Sequence, residues 1–327
     1  VSGPPYLDAE AVRAALRPSA AVDAVRAALL GGLDPAHDIP RSSVPVRGGE
    51  YLLMPADAGR SAGIKVLTVA PDNPARGMPR IQGLYILADA ETLAPRAVLD
   101  GAALTLVRTP AVSLAAVGET LRRSAEPLDV VVFGAGPQAR AHSSAVRDLL
   151  EGVRSIARVT TVTRRPDRAR ADHGAVACGS AEADAALRRA GLVICATTGR
   201  TPLFDSAALR EDSVVVAVGS HEPDARELDA ALMGRAAVIV EDVGTALREA
   251  GDVVLAVRER ALDPAALLPL RDVVRGEVTI SAGRPLVFKS TGMSWEDLVI
   301  AEAIVQRTAA EEERRADAQA AVPRLRR

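Results

Sequence analysis

At 327 residues the chain is long enough for two domains, and its 48% hydrophobic and 25% charged residues are ordinary for a globular protein. A formal net charge of −2 offers no attraction to nucleic acid or to an anionic membrane, so neither is expected as a partner. No run approaches the roughly 20 apolar residues of a membrane span, and no basic-then-apolar leader opens the sequence. Cys178 and Cys195 lack metal-ligand spacing and are expected as reduced core thiols of a cytoplasmic protein that holds no metal.

Apolar residues at helical spacing (Val12, Leu16, Val22, Val25, Leu29) predict two short helices within 8–30, divided at Pro18 and closed by Gly31-Gly32. Residues 39–110 change character: short apolar runs at 51–54, 64–69, 83–87 and 97–99 alternate with Gly, Pro, Asn and Asp clusters, which predicts a sheet. Three cations interrupt this region, Arg41, Lys65 and Arg108. Of 40 basic residues two are lysine, Lys65 and Lys289, which leaves 38 arginines. Arginine serves wherever a cation only solubilises the surface, so the surviving lysines mark positions suited to a compact ammonium. On a strand, Lys65 shares a face with Leu67 and Val69. It points into a cleft, or else lies on an edge strand where its charge discourages aggregation. Converging, the three cations would make a carboxylate pocket, with Arg supplying a bidentate fork and Lys a point charge.

A helical pattern over 113–123 leads to Val130-Val131-Val132-Phe133, which runs straight into Gly134-Ala135-Gly136-Pro137-Gln138-Ala139. An amphipathic segment over 140–150 follows. Strand, tight turn and helix N-terminus in that order are the arrangement that holds a dinucleotide pyrophosphate. Gly134 permits the turn, Gly136 lets backbone approach the phosphates, and Ala139 lets helix and strand pack closely. Pro137 suits the first helical turn, and Gln138 lies where the unpaired N–H groups face the ligand.

Residues 158–163 read as the second strand of this domain. An NAD site would place an acidic residue at its end. Here the end reads Thr163-Arg164-Arg165, so NADP(H) is expected over NAD(H), with the guanidiniums on the 2′-phosphate; the alternative is solvated surface charge. Further apolar strands end in Thr197-Thr198, in Gly219-Ser220-His221 and, after 238–241, in Lys289-Ser290. Ligands of parallel sheets lie outside the carboxyl ends of the strands. Thr197, Ser220, Lys289 and Ser290 are therefore candidate cofactor contacts, and His221 is a candidate acid or substrate contact. Ser294 with Asp297 resembles a capping box opening a helix from Trp295 to about Ala310, and 311–315 and 325–327 read as a solvated charged tail.

Together these motifs resemble the ornithine cyclodeaminase/mu-crystallin family over nearly the whole chain. The matching pieces are Leu53-Met54-Pro55-Ala56, Lys65, Leu99-Asp100-Gly101, Leu104-Thr105, Arg108-Thr109, the glycine turn through His142, Glu227-Leu228-Asp229 and Phe288-Lys289-Ser290-x-Gly292-Met293. The resemblance implies an α/β protein with a Rossmann dinucleotide-binding domain (119–295) and a discontinuous α+β substrate-binding and dimerisation domain (1–118, completed by 296–327), assembled as a homodimer. It implies that Arg41, Lys65 and Arg108 bind the substrate carboxylate. Leu52, Met54 and Met78 are candidates to shape the pocket.

Two departures narrow the activity. The cyclodeaminases carry a Glu where this chain has Leu52, and a catalytic Asp where it has His221. Removing an amine needs acid–base help that these replacements take away. The pattern is more similar to the ketimine-reductase branch, and implies NADPH-dependent reduction of cyclic α-imino acids to α-amino acids, with Lys65 or His221, or a water either one holds, supplying a proton. Cyclodeaminase, amino-acid dehydrogenase and non-enzymatic ligand binding of the mu-crystallin type are the alternatives.

Overall fold

The computed structural model describes residues 3–169 and 174–320, which divide into two compact units. The first comprises Val1–Ala24, Ile39–Val107 and Ser294–Arg327, and the second Val25–Asp38 and Arg108–Met293. In chain order the elements are β1 (Tyr6–Leu7), α1 (Ala9–Ala15), α2 (Pro18–Leu30), β2 (Ser42–Val46), β3 (Gly49–Asp57), β4 (Ser61–Val69), β5 (Ile81–Asp89), β6 (Pro95–Asp100) and α3 (Gly101–Arg122). There follow β7 (Leu128–Phe133), α4 (Pro137–Leu150), β8 (Ile156–Thr163), β9 (Ala175–Ala177), α5 (Ala181–Leu187), β10 (Leu192–Cys195), β11 (Val214–Ala217) and α6 (Ala230–Arg235). The last are β12 (Ala237–Val240), α7 (Val243–Glu249), α8 (Gly251–Arg258), β13 (Leu267–Pro269), α9 (Leu270–Arg275), β14 (Leu286–Lys289) and α10 (Ser294–Ala320).

The first unit is built on a six-stranded sheet of order β1-β6-β5-β4-β3-β2, antiparallel except for the β1–β6 pair. Alternation along each strand sends one row inward: Met54, Lys65, Tyr85 and Leu99 lie side by side in register and all are buried. Helix α10 packs on that face, touching β3, β4 and β5. β4 has neighbours on both sides, so Lys65 is not the edge lysine that the sequence allowed.

Two expectations for this part of the chain need correction. Arg108 does not interrupt a strand, because α3 begins at Gly101, twelve residues before the helical pattern was expected, and carries Pro110 inside it. A helix-breaking residue with Thr105 and Thr109 nearby hides the periodicity, while Asp100 accepts a hydrogen bond from the Ala103 N–H and opens the helix. α3 is also long and apolar enough by composition to cross a membrane (mean hydropathy 1.3), but 78% of that window is buried inside the protein, as befits a core helix. At the other end α10 continues through the charged stretch 311–315 to Ala320, and the predicted tail at 325–327 lies outside the described residues.

The second unit is an eight-stranded parallel sheet, order β13-β12-β14-β11-β10-β7-β8-β9. Four of its central strands (β7, β10, β11, β14) end together, with Phe133, Cys195, Ala217 and Lys289 in register. The chain runs from β7 through α4 to β8 on one side of β7, whereas β10 lies on the other side. The strand order therefore reverses between β7 and β10, where such sheets hold their ligands. Cys195 is a buried core residue, as expected, with its thiol pushed well above the usual range by burial. Cys178 is exposed, because the short strand β9 sits at the edge of the sheet; both thiols are free.

Candidate active site

The glycine turn sits at the reversal point. Gly134 adopts φ +106°, and a Cβ there would lie 2.4 Å from the Ala196 carbonyl oxygen, so the turn and its approach to the neighbouring strand both require glycine. Gly136 is the N-cap of the 14-residue α4 and supplies no side-chain cap, while Pro137 occupies the first turn. A Cβ built on Gly136 meets nothing within 4 Å, so open space stands beside uncapped N–H groups at the positive end of the helix dipole. Those features fit a dinucleotide pyrophosphate. Ala139 is buried, as close helix–strand packing demands.

Behind the turn, α3 and α4 are joined by polar contacts. Gln138 Nε2 donates to Thr109 Oγ1 at 3.2 Å, and the single proton of the Ser113 hydroxyl is placed between two acceptors, the Thr109 carbonyl at 2.9 Å and His142 Nε2 at 3.1 Å. His142 Nδ1 lies 2.9 Å from the Gln138 carbonyl and therefore carries the ring proton. Complete burial pushes its pKa down to about 4, with the Arg108 charge acting in the same direction.

Buried carboxylates tie the strand ends of this sheet together. Glu227 accepts from the Thr197 N–H and hydroxyl on one oxygen and from the Gly219 N–H on the other, bridging the loops after β10 and β11. Burial raises its pKa, partly opposed by Lys289. Asp252 accepts from the N–H groups of Glu227 and Leu228 and pairs with Lys289 at 3.0 Å, both side chains being fully buried. Lys289 Nζ also donates to the Ser220 carbonyl at 2.6 Å. Glu241 accepts from Ser290 Oγ, from the N–H and hydroxyl of Thr291 and from the Gly292 N–H.

In the first unit, Lys65 Nζ is fully buried, 2.5 Å from Asp297 Oδ2 on α10 and 3.3 Å from Thr105 Oγ1. Asp297, read from sequence as half of a capping box, is thus the counter-ion of the buried lysine. Its partner in that reading, Ser294, donates to the Ile39 carbonyl at 3.5 Å. A second link between sheet and α10 joins Arg96 and Ser61 to Glu302.

The expected site residues distribute as follows. Arg41 (half-buried), Met54 (buried) and Lys65 belong to the first unit. Arg108 (buried), Gly134, Gly136, Pro137, Gln138, Ala139, Thr163, Arg164, Arg165, Thr197, Ser220, His221, Lys289 and Ser290 belong to the second. Thr163 ends β8, and Arg164 and Arg165 are exposed just beyond it. Thr197 is half-buried, His221 exposed, and Ser220 and Ser290 are buried. Asp252, Glu241 and Asp297 were not singled out from sequence as site residues, since an acidic residue on a helix or after a strand carries no mark of its burial. Among the described residues no group of His, Cys, Asp and Glu could hold a metal ion.

A parallel sheet with a glycine turn and an uncapped helix at its reversal point defines a dinucleotide-binding protein of Rossmann type. A model of the ornithine cyclodeaminase/mu-crystallin family matches residues 6–312, and the chain belongs to that family. It is 36% identical over 264 residues to Delta(1)-pyrroline-2-carboxylate reductase 2 of Burkholderia ambifaria, covering 79% of this chain and 81% of the relative. It is 35% identical over 269 residues to the Delta(1)-pyrroline-2-carboxylate/Delta(1)-piperideine-2-carboxylate reductase of Azospirillum brasilense, with the same coverages, 79% and 81%. Among solved structures, the Delta(1)-pyrroline-2-carboxylate reductase of Thermococcus litoralis, in complex with NADH and L-proline, superposes with a TM-score of 0.81 at 24% identity. The match covers 94% of this chain and 98% of that one.

Proposed function

We propose that this protein is an oxidoreductase that reduces the C=N bond of small cyclic α-imino acids, pyrroline- and piperideine-2-carboxylate among them, to α-amino acids, using a nicotinamide cofactor with NADP(H) preferred. One observation carries the reading: the carboxylate-binding set of the family, Arg41, Lys65 and Arg108, is intact, while Leu52 and His221 replace the two acids of the cyclodeaminases. The names of the two relatives support the same chemistry.

In this reading Gly134, Gly136, Pro137, Gln138 and Ala139 hold the pyrophosphate and Thr163, Arg164 and Arg165 the 2′-phosphate end. Thr197 serves the ribose side, and Ser220, Lys289 and Ser290 shape the strand ends beside the nicotinamide. The bound cofactor supplies the hydride that the imine carbon receives. Arg41, Lys65 and Arg108 fix the substrate carboxylate, and with it the distance and angle of transfer, an effect worth up to about 7 kcal/mol. Lys65, or His221 or a water that His221 holds, keeps the imine nitrogen protonated, and Met54 borders the ring. The exposed Arg164 and Arg165, with no acidic residue at the end of β8, support the preference for a 2′-phosphate.

A homodimer is part of the proposal. The sheet face turned away from α10 exposes Val44, Tyr51 and Leu84 beside half-buried Leu53, Ile64, Val66 and Ile86. Light scattering at twice the 34.0 kDa chain mass is expected, and a monomer would refute it. The activity is tested by following NADPH oxidation with cyclic ketimines. Silence across the panel refutes the reductase, and ammonia release from ornithine without net cofactor change would put a cyclodeaminase in its place.

A further inference from the structure

We infer that Glu241 is a positioning residue for Arg108, acting through the loop Ser290-Thr291-Gly292. Glu241 follows β12 directly, and the loop follows β14, the neighbouring strand, with Val240 and Lys289 in register. Glu241 is 3% exposed, and its carboxylate accepts four hydrogen bonds of 2.6–3.0 Å from three successive residues, two of them from backbone N–H groups. Such a clamp leaves the loop one conformation, because buried N–H groups are expensive to leave without an acceptor.

The clamped loop presents Gly292 at φ +77°. A Cβ on Gly292 would stand 2.6 and 2.7 Å from Arg108 Nη1 and Nη2 and 3.0 Å from Cζ. The guanidinium of Arg108 therefore lies against the Gly292 backbone, in space that exists only because the residue is glycine and its loop is held. A long arginine side chain needs such a stop: its fork must sit within a fraction of an ångström to meet a carboxylate in both of its hydrogen bonds. The Ser-x-Gly of the C-terminal motif thereby has a physical reason, with Ser290 and Gly292 placed by the carboxylate and Arg108 placed by Gly292.

The functional consequence rests on the reading of Arg108 as a substrate-carboxylate residue. Wild type, E241A, E241Q and G292A are compared for steady-state reduction of Delta(1)-pyrroline-2-carboxylate, for NADPH binding by fluorescence, and by crystal structure. E241A and G292A are expected to raise KM for the imino acid roughly 10- to 100-fold, with a smaller change in kcat and a loss of NADPH affinity well below the rise in KM. E241Q, which retains one acceptor oxygen, should fall between. A folded variant with unaltered KM overturns the inference, as does a KM that rises only in step with loss of NADPH affinity. If E241A does not fold, E241Q and G292A decide on the same criteria. If wild type reduces no imino acid, the proposed activity fails by itself, and the crystal structure of E241A or E241Q still decides the placement: a guanidinium still seated on Gly292 overturns it, and a displaced one supports it.

Discussion

Replacing Asp297 by Asn leaves shape and volume unchanged and removes the counter-ion from a lysine that has no exposure to water. At 2.5 Å and an effective dielectric of about 20, the attraction lost is roughly 7 kcal/mol. Burying the two charges costs several kcal/mol each, so the intact pair adds little net stability. Removing one member is different, because the other keeps its desolvation cost and loses that attraction, at about 3–5 kcal/mol. Against a total stability of about 5–15 kcal/mol that is a large fraction. At about 3 °C per kcal/mol, D297N should melt roughly 10–15 °C below wild type by calorimetry or circular dichroism. K65M, which takes the ammonium away from the carboxylate instead, should lose a similar amount. The double variant K65M/D297L removes both charges and should return to within about 2 kcal/mol of wild type, while remaining inactive in the reductase assay. The reasoning is refuted if D297N melts within about 2 °C of wild type, or if the two single losses simply add in the double variant.

The neutral, buried His142 makes the second unit acid-sensitive. Its folded pKa of about 4 lies below the unfolded value near 6.5, so the unfolded chain binds the proton first; stability from this group is complete above pH 6.5 and is lost as pH falls toward 4. The loss is about 2 kcal/mol by pH 5 and roughly 3 by pH 4, read as the difference between wild-type and H142Q urea unfolding at each pH, and parallel pH profiles would refute it. G134A should lose NADPH binding by tenfold or more in a fluorescence titration, since a Cβ there meets the Ala196 oxygen at a φ that adds about 1–3 kcal/mol of strain; undiminished affinity would dismiss the turn as the pyrophosphate site. R164A/R165A should raise KM for NADPH about 10- to 100-fold while leaving that for NADH unchanged, as expected for loss of charge-assisted bonds to a 2′-phosphate. Equal effects on both cofactors would show that these arginines are surface charge.

Much of this protein is written locally. A four-residue apolar run, two glycines and a small residue at fixed spacing specify a turn whose geometry needs no distant partner, so the strand–turn–helix unit and the strand rhythm of the second unit could be read directly from sequence. The short apolar runs of the first unit did the same for its sheet, because side-chain alternation is a property of the strand alone. Tertiary structure decided what depends on burial. The helical N-terminal half of α3, with Arg108 in it, holds together despite Thr105, Thr109 and Pro110 because most of the helix is buried in the core. Cys178 is exposed because the strand it follows lies at an edge, which no local pattern reports. Asp297 and Glu241 look like a helix cap and a strand-end acid until the fold places Lys65 232 positions away beside the first and a three-residue loop around the second. A carboxylate takes its role from the donors that replace water around it, and those donors are brought together only when distant segments pack.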